Sequence, residues 1–121
     1  MFFAYKVFIS SNGDILEPKN LSDDFKIVGS LQYDLCLQQK KASFYNLNIN
    51  PDYQRKGFAK KLRAYVIQKL LNDCVTTFET SPKSTNPHFS TKDLISFYIR
   101  QFEGFGCKEV IHSNNKITFL F

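Results

Sequence analysis

Leu47-Asn48-Ile49-Asn50-Pro51-Asp52-Tyr53-Gln54-Arg55-Lys56-Gly57-Phe58-Ala59 is where the period of the sequence changes. Before it, Ala42 to Ile49 reads as a strand, with Tyr45, Leu47 and Ile49 alternating at period two. Pro51 stops that strand, because it has no N–H to give to a ladder. After it, Phe58, Ala59, Leu62, Tyr65, Val66 and Leu70 recur at helical spacing, and Ile67 and Leu71 widen the apolar face. The spacing predicts a helix over residues 58–72, ending at Asn72-Asp73. A strand that runs straight into a helix makes an anion site. The first turn, taken as Gln54 to Ala59, leaves backbone N–H groups without internal partners, at the positive end of the helix dipole. Gly57 and Ala59 keep side chains out of the way of an approaching phosphate, while Arg55, Lys56, Lys60 and Lys61 surround it with positive charge.

Charge in the rest of the chain points to the same place. The 121 residues carry 16 Lys and Arg against 11 Asp and Glu, a net +5 that suggests an anionic partner. Residues 41–83 hold 8 of the basic side chains and 3 of the acidic ones, so the excess sits in the middle third. Six basic residues (Arg55, Lys56, Lys60, Lys61, Arg63 and Lys69) stand between Gln54 and Lys69 with no acid among them.

Composition excludes several classes. With 43% hydrophobic and 22% charged residues the chain is not disordered, and its length suits one domain over residues 1–121. No apolar run approaches the ~20 residues of a membrane span, and Met-Phe-Phe-Ala-Tyr-Lys lacks the pattern of a secretory signal. Cys36, Cys74 and Cys107 are odd in number and far apart, and are read as small buried hydrophobes in a reducing compartment. His88 and His112 have no metal-ligand spacing, so no metal is expected. The expected setting is the cytoplasm, without membrane attachment.

Outward from the central stretch, the chain alternates between periods. Phe2 to Ile9 is rich in aromatic and β-branched residues and closes on the turn Ser11-Asn12-Gly13-Asp14. Residues 15–24 read as a loop. Lys26 to Leu37 is a strand joined by the polar turn 38–41 to the next, so the two should be antiparallel neighbours. Val75 to Thr80 is a short strand. After a polar loop with Pro82 and Pro87, Ser90 or Thr91 caps a second helix with Asp93 in its first turn and Leu94, Ile95, Tyr98, Ile99 and Phe102 on its apolar face. It ends near Gly104 or Gly106, and Glu109 to His112 and Lys116 to Phe121 flank a turn at Ser113-Asn114-Asn115. The class is α/β (α+β): a mixed, mostly antiparallel central sheet with flanking helices and at least one strand–helix–strand crossover.

The unit Leu-x-Ile-x-Pro-x-Tyr-Gln-x-x-Gly-x-Ala, with Gln54, Gly57 and Ala59 in register, resembles the acetyl-CoA signature of the GCN5-related N-acetyltransferase (GNAT) superfamily. Leu94 to Phe105, with Phe97-Tyr98 and Gly104-Phe105, is similar to that family's later helix, though with two extra residues before the Gly-Phe pair. The resemblance covers roughly residues 25–121. It implies a short member with the acyl-CoA N-acyltransferase-like fold and acetyl-CoA lying between the fourth and fifth family strands. Backbone groups near Leu47, Asn48 and Ile49 would hold the pantetheine arm. The N–H groups of Arg55, Lys56, Gly57, Phe58 and Ala59 would hold the pyrophosphate, Gln54 would orient the loop, and Lys60 would reach the nucleotide's further phosphate. The implied reaction moves an acetyl group directly to an amine in a ternary complex.

The resemblance implies Tyr98 as the acid for the departing thiol, with a core aromatic as the competing reading of that position. No acid stands on the strand before Pro51, so Glu79 is the substitute base, with a sheet-edge charge as its competing role, and His88 is a third candidate. Only residues 11–24 lie where relatives have one or two helices, which leaves the acceptor pocket open or completed by another subunit. Expected partners are a small-molecule or peptide amine and, for the oligomer, a homodimer. Two alternatives stand beside transfer: a nucleic-acid-binding module that uses the basic helix on phosphates, and a CoA-binding protein without turnover.

Overall fold

Seven strands and two helices form in the computed structural model, which describes residues 2–81 and 90–121. In chain order they are β1 (Phe3–Ser10), β2 (Ile15–Leu16), β3 (Ile27–Cys36), β4 (Lys41–Ile49), α1 (Phe58–Asn72), β5 (Thr77–Thr80), α2 (Thr91–Gly104), β6 (Glu109–Ser113) and β7 (Lys116–Leu120). The sheet order is β2-β1-β3-β4-β5-β7-β6, and every pairing is antiparallel except β4 with β5. That parallel pair is the crossover through α1 that the change of period predicted. The two-residue β2 and the 3-10 turn Pro18–Asn20 lie inside the stretch read as loop. Neither has the length to show a period.

One alternating set of residues makes the core. Val7 faces Leu31, Leu35 faces Ala42, and Ala42, Phe78 and Phe119 continue across β4, β5 and β7. Leu62, Val66, Ile67 and Leu70 of α1 and Tyr98 and Phe102 of α2 pack into the same cluster. Phe102 is fully buried, stacked on Phe119 with ring centroids 3.9 Å apart and within 6.2 Å of Phe44, Phe78 and Phe121. This is where the many phenylalanines go. Both helices thus cover one sheet face. The alternate positions, such as Lys6, Gln32, Asp34, Ser43 and Glu79, point to the other face and are exposed or half-buried. Of the three cysteines expected to be buried, only Cys36 is; Cys107 is half-buried and Cys74 exposed.

Two features position the site. The β3–β4 register slips between Gln32, which faces Asn46, and Tyr33, which faces Phe44, so Tyr45 is the extra residue of a bulge. Bulges bend their strand and increase its twist. Accordingly β4 pairs with β5 only over Lys41–Phe44, and the remainder of β4, to Ile49, has no strand on that side among the described residues. The second feature is the arm after β1. Lys61 Nζ donates to the Gly13 carbonyl, Lys69 pairs with the Glu17 carboxylate, and Tyr65 Oη donates to Glu17 Oε1 at 3.3 Å. The Lys69 hydrogen bond holds the Glu17 carboxyl below its ordinary value. No α-helix forms between β1 and β3, and this arm binds the outer side of α1 instead.

Candidate active site

The turn between β4 and α1 is built by its own side chains. Asn50 Oδ1 accepts from Asp52 N at 3.0 Å, setting the 3-10 turn Pro51–Tyr53. Gln54 Nε2 donates to the Ile49 carbonyl at 3.1 Å and so ties the loop back to the strand end. Arg55 and Gly57 both have left-handed backbones, with φ of 67° and 78°. Left-handed residues in a tight turn make a concave run of N–H groups, an anion nest. The helix itself begins at Phe58, and its first bond runs from Lys61 N to Gly57 O at 3.0 Å. The first turn is therefore shorter than Gln54 to Ala59: residues 54–57 are loop, and the unused helical donors are Phe58, Ala59 and Lys60. The reason for glycine differs too. A Cβ on Gly57 would meet nothing within 4 Å, so its requirement is the positive φ rather than room.

This nest opens onto a cleft of about 980 Å³ made by the divergence of β4 from β5. Leu47 and Ile49 form one wall, Gln54, Arg55 and Gly57 to Lys60 the mouth, Thr80 and Ser81 the end of β5, and Leu94, Tyr98 and Gln101 of α2 with Phe105 just after it the opposite side. Leu47, Ile49, Gln54, Arg55, Gly57, Phe58, Ala59 and Lys60 are thus brought together. Asn48 and Lys56 do not line the cleft: Asn48 is exposed opposite Ser30, and Lys56 Nζ lies 5.1 Å from the Tyr53 ring centre.

The six basic residues divide by function. Lys61 and Lys69 hold the arm after β1, as described. Arg63 is buried, with 6% of its surface exposed. That leaves Arg55, Lys56 and Lys60, all exposed, around the nest. A charge cluster that looked uniform in the sequence contains only three cations free of these structural duties.

Arg63 is the residue that sequence reasoning passed over. Its Nε donates to Gln101 Oε1 at 2.6 Å, and its guanidinium carbon lies 4.7 Å from the Tyr98 ring centre. Gln101 Nε2 in turn donates to the Lys60 carbonyl at 2.8 Å, so this chain joins α2 to the first turn of α1. Burial pushes the guanidinium below its usual range, against the opposing pull of Tyr98. The signal was available: Arg63 stands four residues after Ala59 and four before Ile67, within the apolar stripe of the helix.

Tyr98 lines the cleft from the second turn of α2 and is only 6% exposed. Ser90 is the residue that caps this helix, its Oγ accepting from Asp93 N at 3.1 Å. Glu79 is not in the cleft. It lies between Phe78 and Thr80 and so points to the other face, where it pairs with Lys41 and, at 3.3 Å, with Lys116. Burial raises its carboxyl, but the hydrogen bonds and charges of the two lysines outweigh that and hold it below the ordinary value of 4.5. A depressed carboxyl stabilises the fold above its unfolded value and loses that contribution as pH falls through the folded value. Glu79→Gln is expected to cost about 1–2 kcal/mol, lowering Tm by roughly 3–8 °C at neutral pH, with turnover kept. A thermal scan beside an activity assay checks this; a large fall in kcat at unchanged Tm would restore Glu79 as a base. His88 lies outside the described residues. Among the described residues lining the cleft there is no carboxylate and no imidazole.

A mixed sheet that splits between two parallel strands, with a helix-start anion nest at the mouth of the split, is the acyl-CoA N-acyltransferase-like fold. The chain belongs to the Acetyltransferase (GNAT) family, whose sequence profile matches residues 10–88, more than half its length. No curated protein matches it in sequence. Among solved structures it is similar to the PaiA N-acetyltransferase of Thermoplasma acidophilum in complex with coenzyme A (TM-score 0.58, 16% identity, 83% of this chain and 57% of that one). It is also similar to Tetrahymena GCN5 (0.55, 12%, 84% and 65%) and to a Bacillus subtilis acetyltransferase in complex with CoA (0.54, 17%, 84% and 73%). The chain spans less than two thirds of the length of the first two.

Proposed function

We propose that the protein is an acetyl-CoA-dependent N-acetyltransferase acting by direct transfer to an amine. The observation that carries this is the anion nest at the mouth of the split between β4 and β5. Phe58, Ala59 and Lys60 N–H groups and the left-handed Arg55–Gly57 turn suit a pyrophosphate, and Lys60 suits a further phosphate. The unpaired side of β4 at Leu47, Asn48 and Ile49 offers strand-like hydrogen bonds to the amides of the pantetheine arm, and its other end leads to Tyr98. Three free cations at one helix start fit the phosphates of a single cofactor better than a polymer, whose recognition draws on an extended basic surface.

Acetyl-CoA would supply the activated acyl thioester. The amine nitrogen bonds to the acyl carbon as the carbon–sulfur bond breaks, the amine loses one proton, and the thiolate gains one. In this reading the Tyr98 hydroxyl, which lines the cleft, gives that second proton and recovers it from solvent. With no carboxylate or imidazole among the described lining residues, the amine's proton goes to water. The rate should therefore follow the free-base fraction of the acceptor: log(kcat/KM) rises by about one per pH unit below the acceptor's own pKa. Two amines of different pKa, compared over one pH range, test this. A rising limb at the same pH for both would place a titrating base in the protein.

Coenzyme A binding by calorimetry, with release of free thiol across an amine panel, tests the whole reading. The bare lining also favours a second reading, CoA binding without turnover, which heat of binding with no thiol release would select.

A further inference from the structure

We infer that Arg63 and Tyr98 form a carboxylate subsite inside the cleft, so that the acyl group or the acceptor carries a carboxylate. This rests on the acyltransferase reading above. The guanidinium is nine-tenths buried, lines the cleft, and has no carboxylate within ion-pair distance among the described residues. Its Nε is engaged by Gln101, the Tyr98 side chain hydrogen-bonds the guanidinium, and the guanidinium carbon lies 4.7 Å from the Tyr98 ring centre. Of the five guanidinium N–H donors, these contacts leave terminal ones for a ligand.

A buried cation without a counter-charge is costly, and it persists most readily where a bound anion completes it. Guanidinium is the group for that task, since it is weakly hydrated and forms two parallel bonds to a carboxylate. A cofactor phosphate is the weaker candidate for this partner. Phosphates have the exposed Arg55, Lys56 and Lys60 at the nest, whereas Arg63 lies farther along α1 and is covered by Tyr98. The chemistry balances without any further reactant, because the carboxylate only binds. Acyl transfer proceeds as before, with one carbon–nitrogen bond made and one carbon–sulfur bond broken.

Calorimetry on the whole chain separates the two sources of the carboxylate. One arm compares acetyl-CoA with succinyl-CoA. The other titrates the CoA complex with β-alanine and with its carboxamide. The expected result is at least tenfold tighter binding of the acid form in one arm. Arg63→Met should abolish that preference, with coenzyme A affinity no lower than in Gln101→Leu, which breaks the same link to the Lys60 carbonyl, and Arg63→Lys should retain part of it. Equal binding of both forms in both arms of the wild-type protein overturns the subsite without the variants being needed. A tenfold loss of plain coenzyme A affinity in Arg63→Met that Gln101→Leu does not share overturns it too, by assigning Arg63 to a phosphate. If coenzyme A does not bind at all, the acyltransferase reading fails and the subsite falls with it.

Discussion

Gly57→Glu is expected to weaken coenzyme A binding by at least 100-fold, about 2.7 kcal/mol, while the protein still folds. Two effects combine at this position. The backbone there has φ of 78°, which costs an L-residue about 1–2 kcal/mol. The new side chain meets no steric obstacle, since nothing lies within 4 Å of the added Cβ, so it would project a carboxylate into the anion nest. Repulsion between that carboxylate and a phosphate acts where the Phe58, Ala59 and Lys60 N–H groups would otherwise donate. Gly57→Ala separates the two effects. It carries the same backbone strain without charge, and should lower Tm by a few degrees and affinity by less than tenfold. Calorimetry on both variants decides the matter. If Gly57→Glu binds within twofold of wild type, the phosphates of the cofactor lie elsewhere.

Much of the architecture was legible because its signals are periodic. The helix over residues 58–72 matches α1, and the alternation of Lys26 to Leu37 gave β3 and its antiparallel partner β4. The motif from Leu47 to Ala59 could be assigned because a strand period, a proline and a helix period follow one another without a gap. What could not be read is where charged side chains end up once the sheet assembles. Lys61 and Lys69 sit on the same helix as Lys60, yet they serve the arm after β1, whose path the sequence does not encode in any period. Glu79 had the right residue type, but strand alternation between the buried Phe78 and Thr80 turns it to the far face. That test was available from the sequence, as was the position of Arg63 in the apolar stripe. The Tyr45 bulge was not, since an extra residue in a ladder has no signature apart from its partner strand. Yet that bulge accompanies the opening between β4 and β5 on which the site depends.

Tyr98→Phe is expected to lower kcat by about 100-fold with coenzyme A affinity unchanged, within the 10²–10⁴-fold range of positioned acid–base groups. The substitution isolates the hydroxyl. The ring is 6% exposed and packs with Phe102 and the α1 residues in one cluster, so phenylalanine keeps the core filled, and the lost hydrogen bond to Arg63 should cost about 1 kcal/mol, or roughly 3–6 °C in Tm. Arg63 keeps its aromatic neighbour, because the guanidinium lies over the ring. A role confined to packing therefore predicts nearly full activity in this variant, and a proton-donating role predicts the large loss. The choice of acyl donor sharpens the comparison. If the hydroxyl protonates the departing thiolate, the loss should shrink for an acyl donor whose thiol is more acidic, because that thiolate leaves without help. An undiminished kcat in Tyr98→Phe would make Tyr98 a core residue, and the proton would then reach the thiolate from water in the cleft.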